Sequence, residues 1–187
     1  MRRDLLDATV HLLGEVGSER LTTTAIVERA HVSSGTFYRY FDDKADILEA
    51  LRQEAVSEIS SDLMGGVARA IDLDLRAAVR EILTTLTGAL ERHAPVILAM
   101  VDAVPSGTQS NVMPEIEAGL MQLARVIPAR HLPGLDPQRL DAVVFMVMGV
   151  TQATCLRIAL QRPEGSSAEE LIEIATDMLT AGLLGAR

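Results

Sequence analysis

Tyr38, Arg39 and Tyr40 stand in the run Thr36-Phe37-Tyr38-Arg39-Tyr40-Phe41, and Lys44 follows three residues later. These side chains carry the groups that grip a phosphodiester backbone and read base edges. Hydroxyls suit phosphate oxygens, a guanidinium offers a bidentate donor pair to guanine, and an ammonium is a point charge. Composition isolates the run. The 187-residue chain has three Phe and two Tyr, four of which fall between positions 37 and 41, and Lys44 is its only lysine. Elsewhere Leu, Val, Ala and Met fill space. An aromatic cluster beside Arg and Lys in such a chain marks one small region with a task of its own.

The residues before the run supply its scaffold. Leu5, Ala8, Leu12 and Val16 recur at helical spacing, and Gly17 stops that helix. Thr22-Thr23-Thr24 is an N-cap cluster for a short helix carrying Ile26, Val27 and Ala30. His31-Val32-Ser33 makes a turn, and Ser33 can cap a second short helix ending near Phe41. Ile26, Ala30, Val32, Phe37 and Phe41 are expected to lock these helices to each other and to Leu12 and Val16. Gly35 removes a side chain near the start of the second helix, where backbone could approach DNA closely.

Read together, Thr22 to Phe41 with Lys44 and Leu48 resemble the N-terminal signature of the tetracycline-repressor (TetR) family of bacterial regulators. The resemblance covers about residues 5–52. It implies a helix-turn-helix with Thr22, Thr23, Thr36, Tyr38 and Lys44 at phosphates. It places Thr24, Ser34, Arg39 and Tyr40 where family members reach base edges, with Ser33 and Gly35 on the same surface. Two positions depart from the pattern. His31 stands at a turn position usually held by Gly, and Ser34 where a basic residue is frequent. A plain packing pair of helices is the competing reading, yet Tyr38, Arg39 and Tyr40 would be unneeded in one.

Beyond this region every periodic stretch is helical, so the fold class is all-α, with about nine helices. The expected division is a helix-turn-helix domain at 1–45 and a helical ligand-binding and dimerisation domain at 46–187. Asp42-Asp43 should cap a long helix from Lys44, with Gly65-Gly66 weakening or ending it. Asp74 to Arg92 and Val96 to Val104 follow. Pro105 to Asn111 reads as a loop, and another helix runs to about Ala129. Asp136-Pro137 starts a helix reaching Gln161, and Ser167 with Glu170 opens the last one.

The net charge is −9, which argues against a general positive field. Residues 1–52 hold seven Lys/Arg against nine Asp/Glu, net −2, and the remainder ten against seventeen, net −7. A local patch on the first segment could still face phosphates. No run of 18 apolar residues suggests a transmembrane span, and the first residues lack a secretory apolar region, so a cytoplasmic protein with no membrane partner is expected. The single Cys155 fits a reducing compartment and reads as a small buried hydrophobe. No cofactor or metal is expected, because four scattered His and one Cys lack ligand spacing.

In the C-terminal half the methionines are either core filler or the lining of a plastic pocket. The candidate ligand residues are His93, Met100, Met121, Phe145, Met148 and Gln152, with Thr151 as a further polar anchor. Thr151 and Gln152 could equally face solvent or a dimer seam. The last two helices have wide apolar faces, suited to homodimerisation through a four-helix bundle. The reading is a ligand-responsive regulator, a repressor that binds double-stranded DNA at a palindromic operator as a homodimer. A small hydrophobic or amphipathic molecule would release it by shifting the sixth helix against the fourth. The rivals are a regulator governed by a protein partner or no ligand, and an all-α enzyme using His93 or His131.

Overall fold

The computed structural model describes residues 1–102 and 124–186. Among these residues there are nine helices and no strand: α1 (Arg2–Arg20), α2 (Thr23–Arg29), α3 (Ser34–Tyr38), α4 (Lys44–Ala70), α5 (Leu75–Arg92), α6 (Ala94–Asp102), α7 (124–131), α8 (Pro137–Leu160) and α9 (Ala168–Gly185). The expected loop at 105–111 lies outside the described residues, as does most of the stretch before Ala129. The chain divides into two compact units. One is Met1–Ser57 with the segment beginning at His93, and the other holds Glu58–Arg92 and α7 to α9.

The first unit is built on α1. Leu5, Leu6, Leu12 and Leu13 are buried and join Ile26, Val27, Phe37, Phe41, Ile47 and Leu51 in one core. Val96 and Ala99 of α6 belong to the same core, and α6 packs on α1. Val16 departs from expectation: it is 39% exposed, and Leu13 takes the inner position. The next residue, Gly17, leaves helical geometry at φ 75°, so the regular first part of α1 ends at Val16. Thr9, fully buried, satisfies its hydroxyl by donating to the Leu5 carbonyl at 2.7 Å.

Helix starts follow the local chemistry. Asp43 Oδ1 accepts from the N–H groups of Ala45 and Asp46 at 2.7 and 2.9 Å, opening α4. Asp46 in turn accepts the Asp42 N–H at 3.0 Å. Asp136 accepts from Gln138 and Arg139, with Pro137 in the first turn of α8. Ser167 accepts from Glu170 N–H at 3.1 Å and starts α9.

In the second unit α5 is the centre, packed against both α8 and α9. Ion pairs stitch α5 to α9: Arg76 meets Glu173 and Asp177, and Arg80 meets Glu169 and Glu173. Hydrogen bonds from Arg76 and Arg80 hold the Glu173 carboxyl below its usual range.

Gly65-Gly66 does not end α4, which runs unbroken to Ala70. Its role is proximity. A methyl group at Gly66 would lie 2.9 Å from Thr85 Oγ1 and 3.0 Å from its Cγ2 on α5. At Gly65 the nearest atom is the flexible end of Arg69, 3.3 Å away. Gly66→Ala should therefore destabilise the fold by about 1–3 kcal/mol through overpacking. Gly65→Ala should raise stability by up to about 1 kcal/mol, as expected for Gly replaced inside a helix. Urea unfolding of the two variants checks this, and shifts of equal sign would refute it.

Candidate functional site

The helix-turn-helix rests on two caps. Thr22 Oγ1 accepts from Ala25 N–H at 3.1 Å and begins α2. Ser33 Oγ accepts from Thr36 N–H at 3.2 Å and begins α3. Between them His31 adopts φ 54°, the left-handed conformation expected of a residue standing where glycine is usual. His31→Gly should relieve this strain and add about 1 kcal/mol of stability, read by thermal melting. A lower melting temperature would overturn the strain argument.

α3 is one turn shorter than expected. Its regular part ends at Tyr38, with Arg39 as C-cap. The chain keeps coiling briefly, since the N–H groups of Tyr40 and Phe41 both donate to the Phe37 carbonyl at 2.9 and 3.0 Å. Phe37 is fully buried and Phe41 nearly so, their ring centroids 5.8 Å apart. With the two Phe residues as inward anchors, the residues between them point outward. Tyr38 is 59% exposed and Tyr40 38%.

The sequence-derived DNA set therefore shares one unit and one short stretch of surface. Thr22, Thr24, Ser33, Ser34, Gly35, Tyr38, Arg39 and Tyr40 are exposed, while Thr23, Thr36 and Lys44 are half-buried. Arg39 stacks on the Tyr40 ring, its Cζ 5.1 Å from the centroid. Lys44 donates to the Ser18 carbonyl at 3.2 Å, tying the start of α4 to the end of α1. A methyl group on Gly35 would meet only Ser33 Oγ at 3.8 Å, ordinary contact, so nothing within the chain demands glycine there.

A second site lies in the other unit. α4, α5, α7, α8 and α9 line a partly open apolar cavity of about 100 Å³. Its described wall is aliphatic, with Leu63, Val67, Ile82 and Leu86 on one side and Val147 and Met148 on another. Thr151 and Gln152 are its polar members among the described residues.

Two comparisons of sequence decide what this architecture is. Residues 5–51 match the family described as bacterial regulatory proteins, tetR family. Residues 74–183 match the family described as tetracyclin repressor-like, C-terminal domain. The chain belongs to the TetR family.

Relatives agree. An uncharacterized HTH-type transcriptional regulator of Mycobacterium tuberculosis is 27% identical over 184 residues, covering 96% of this chain and 92% of the relative. The HTH-type transcriptional regulator BetI of Escherichia coli is 41% identical over 58 residues, covering 31% of this chain and 30% of BetI. Among solved structures, the fatty acid degradation regulator FadR of Bacillus halodurans superposes with a TM-score of 0.72 at 18% identity. That alignment covers 97% of this chain and 95% of FadR. This TetR-family chain is thus a transcriptional regulator with an N-terminal helix-turn-helix, and not an enzyme.

The ligand candidates scatter more than the DNA set. Met148 and Gln152 line the cavity. Phe145 does not: its ring is 70% exposed. On the helix it points within some 20° of Gln152, so what separates it from the cavity is height: it stands about two turns, roughly 10 Å, nearer the N-terminal end of α8. His93 belongs to the first unit, Met100 lies on α6, and Met121 falls outside the described residues. Cys155 is fully buried, its Sγ 3.8 Å from the Leu83 carbonyl, and burial pushes its thiol up to about 11. It is a neutral packing residue at physiological pH.

α8 is long and apolar enough to cross a membrane, judged by length and composition alone, although the sequence suggested no such span. Its apolarity serves two opposite faces. One lines the cavity. The other leaves Phe145, Met146 and Val150 exposed, beside Ile174 and Met178 of α9. An outer groove here is lined by Met146, Val150, Met178 and Gly182, and shares Val147, Leu179 and Leu183 with the cavity wall. Period reasoning found the apolar faces but not this double use. The cavity residues of α4 and α5 were missed because an aliphatic lining a void has the same sequence signature as one filling a core.

Proposed function

We propose that this protein is a cytoplasmic, ligand-controlled repressor that binds a palindromic operator as a homodimer. The observation that carries the reading is the double apolar face of α8. A groove lined by Met146, Val150 and Met178, with Phe145 and Ile174 of the same two helices also exposed, is what a second copy would cover in a four-helix bundle. Two-fold pairing also suits two helix-turn-helix units meeting successive major grooves about 34 Å apart. The other face borders a void with a polar pair, Thr151 and Gln152, that suits a small hydrophobic or amphipathic molecule.

The proposed control runs through covalent joints. α5 borders the cavity, and one residue, His93, separates it from α6, which shares the core of α1. A ligand that binds better to one arrangement of α5 would move α6 and, with it, the helix-turn-helix. It shifts the equilibrium only by its differential affinity for the two arrangements. The DNA-facing roles are those of the set named above, with Arg39 as guanine reader.

A genomic-fragment binding selection with the full chain tests this, followed by mass spectrometry of small molecules extracted from the protein. The expected result is a short inverted repeat, released by a recovered molecule. A repeat that no recovered molecule releases removes ligand control. Enrichment of single, unpaired half-sites removes the dimer.

A further inference from the structure

The seven basic residues of the first 52 fall into two groups. Arg3 pairs with Asp7 and Glu54, Arg29 with Glu15, and Arg52 with Glu49. In this segment Asp7, Glu15 and Glu49 meet arginines, and Asp43 and Asp46 accept backbone N–H groups at the start of α4. Arg2, Arg20, Arg39 and Lys44 have no carboxylate partner among the described residues. Arg39 rests on Tyr40, and Lys44 reaches a backbone carbonyl. These two were expected to face DNA.

Arg2 was not, yet its placement is as specific. Its guanidinium carbon lies 5.4 Å from the centroid of the Phe41 ring. Phe41 is the inward anchor that closes the recognition turn, bonded through its N–H to the Phe37 carbonyl. Arg2 is thus fastened to the residue next to Tyr40, at the C-terminal end of the DNA-facing run. Its neighbour Arg3 has an acid one helical turn on, at Asp7. The equivalent position for Arg2 is Leu6, which is buried. A guanidinium held over an aromatic face by cation–π attraction makes no hydrogen bond there and keeps its N–H donors for other acceptors.

We propose that Arg2 is a DNA phosphate anchor, held by Phe41 so that its donor edge grips the backbone flanking the groove that α3 enters. The contact is to phosphate, so it adds affinity without sequence preference. It also helps explain how a chain of net charge −9 approaches a polyanion. The charge that matters is the handful of cations left without acids, and Arg2 belongs with Arg39 and Lys44 among them.

The test uses the full chain, with Arg2→Ala and Arg2→Lys, and a random-sequence duplex of about three helical turns as the probe. Affinity is followed by fluorescence anisotropy across a salt series, and thermal melting is recorded alongside. Each lost phosphate contact should lower the slope of log affinity against log salt by about 0.9, so by roughly 1.8 if both protomers of a dimer engage. Arg2→Lys should keep most of the slope, since it keeps the charge. A melting temperature that falls in Arg2→Ala with an unchanged slope would overturn the proposal and leave Arg2 as a clamp on Phe41. An unchanged slope with unchanged melting would overturn it as well.

Discussion

Arg39→Ala is expected to abolish sequence-specific DNA binding while leaving the fold intact. The side chain is exposed and its described partner is Tyr40, through the ring and through a 3.5 Å hydrogen bond from Nη2 to the hydroxyl, so removing it withdraws little from the core. Its value lies outside the chain. A bidentate arginine–guanine pair contributes about 1–3 kcal/mol of discrimination against a wrong base. Two recognition helices double this to about 2–6 kcal/mol, or roughly thirtyfold to ten-thousandfold in affinity. The check is anisotropy on the duplex recovered by selection, set against random-sequence DNA. Loss confined to the selected duplex is the expected pattern. A variant that still prefers that duplex by the parent's margin would remove Arg39 from base reading. Arg2→Ala should behave differently, weakening both duplexes alike.

Met146→Glu should separate the protomers. Met146 is 60% exposed in the single chain, with Phe145 and Met178 beside it still more open at 70% and 71%. In a two-fold bundle the same residue on the second copy faces the same seam. A carboxylate placed there loses its water in an otherwise apolar seam whose one described cation, Arg139, stands two turns back on α8, and its symmetry mate repels it. The penalty is several kcal/mol. Light scattering should report the 20.2 kDa monomer, with a lower melting temperature that no longer rises with protein concentration, because the second copy no longer stabilises the fold. Operator affinity should collapse with the mass, since one helix-turn-helix reaches only one half-site. Retention of the doubled mass would place the seam elsewhere.

The helix-turn-helix could be read from sequence because its constraints are local. Thr22 and Ser33 cap the helices they precede, His31 takes the positive φ its position implied, and Phe37 and Phe41 are spaced to bury together. Each is decided by residues within one or two turns. The cavity is different. Whether Met146 or Met148 faces it depends on how α8 is rotated against α5, a tertiary quantity that a periodic apolar pattern on both sides of the helix leaves open. Gly65-Gly66 failed as a stop signal for a related reason. Glycine inside a helix signals either an ending or a close neighbour, and only the position of Thr85 on α5 distinguishes the two.

The wall shared by the cavity and the outer groove sets a rule for anyone reshaping this protein as a biosensor. Val147, Leu179 and Leu183 each border both spaces. Shortening one of them to admit a bulkier analyte would cut a window through a partition a single side chain thick. Room for new chemistry is better sought at Leu63, Val67 and Ile82, where the interior can be recut from the opposite side without perforating it.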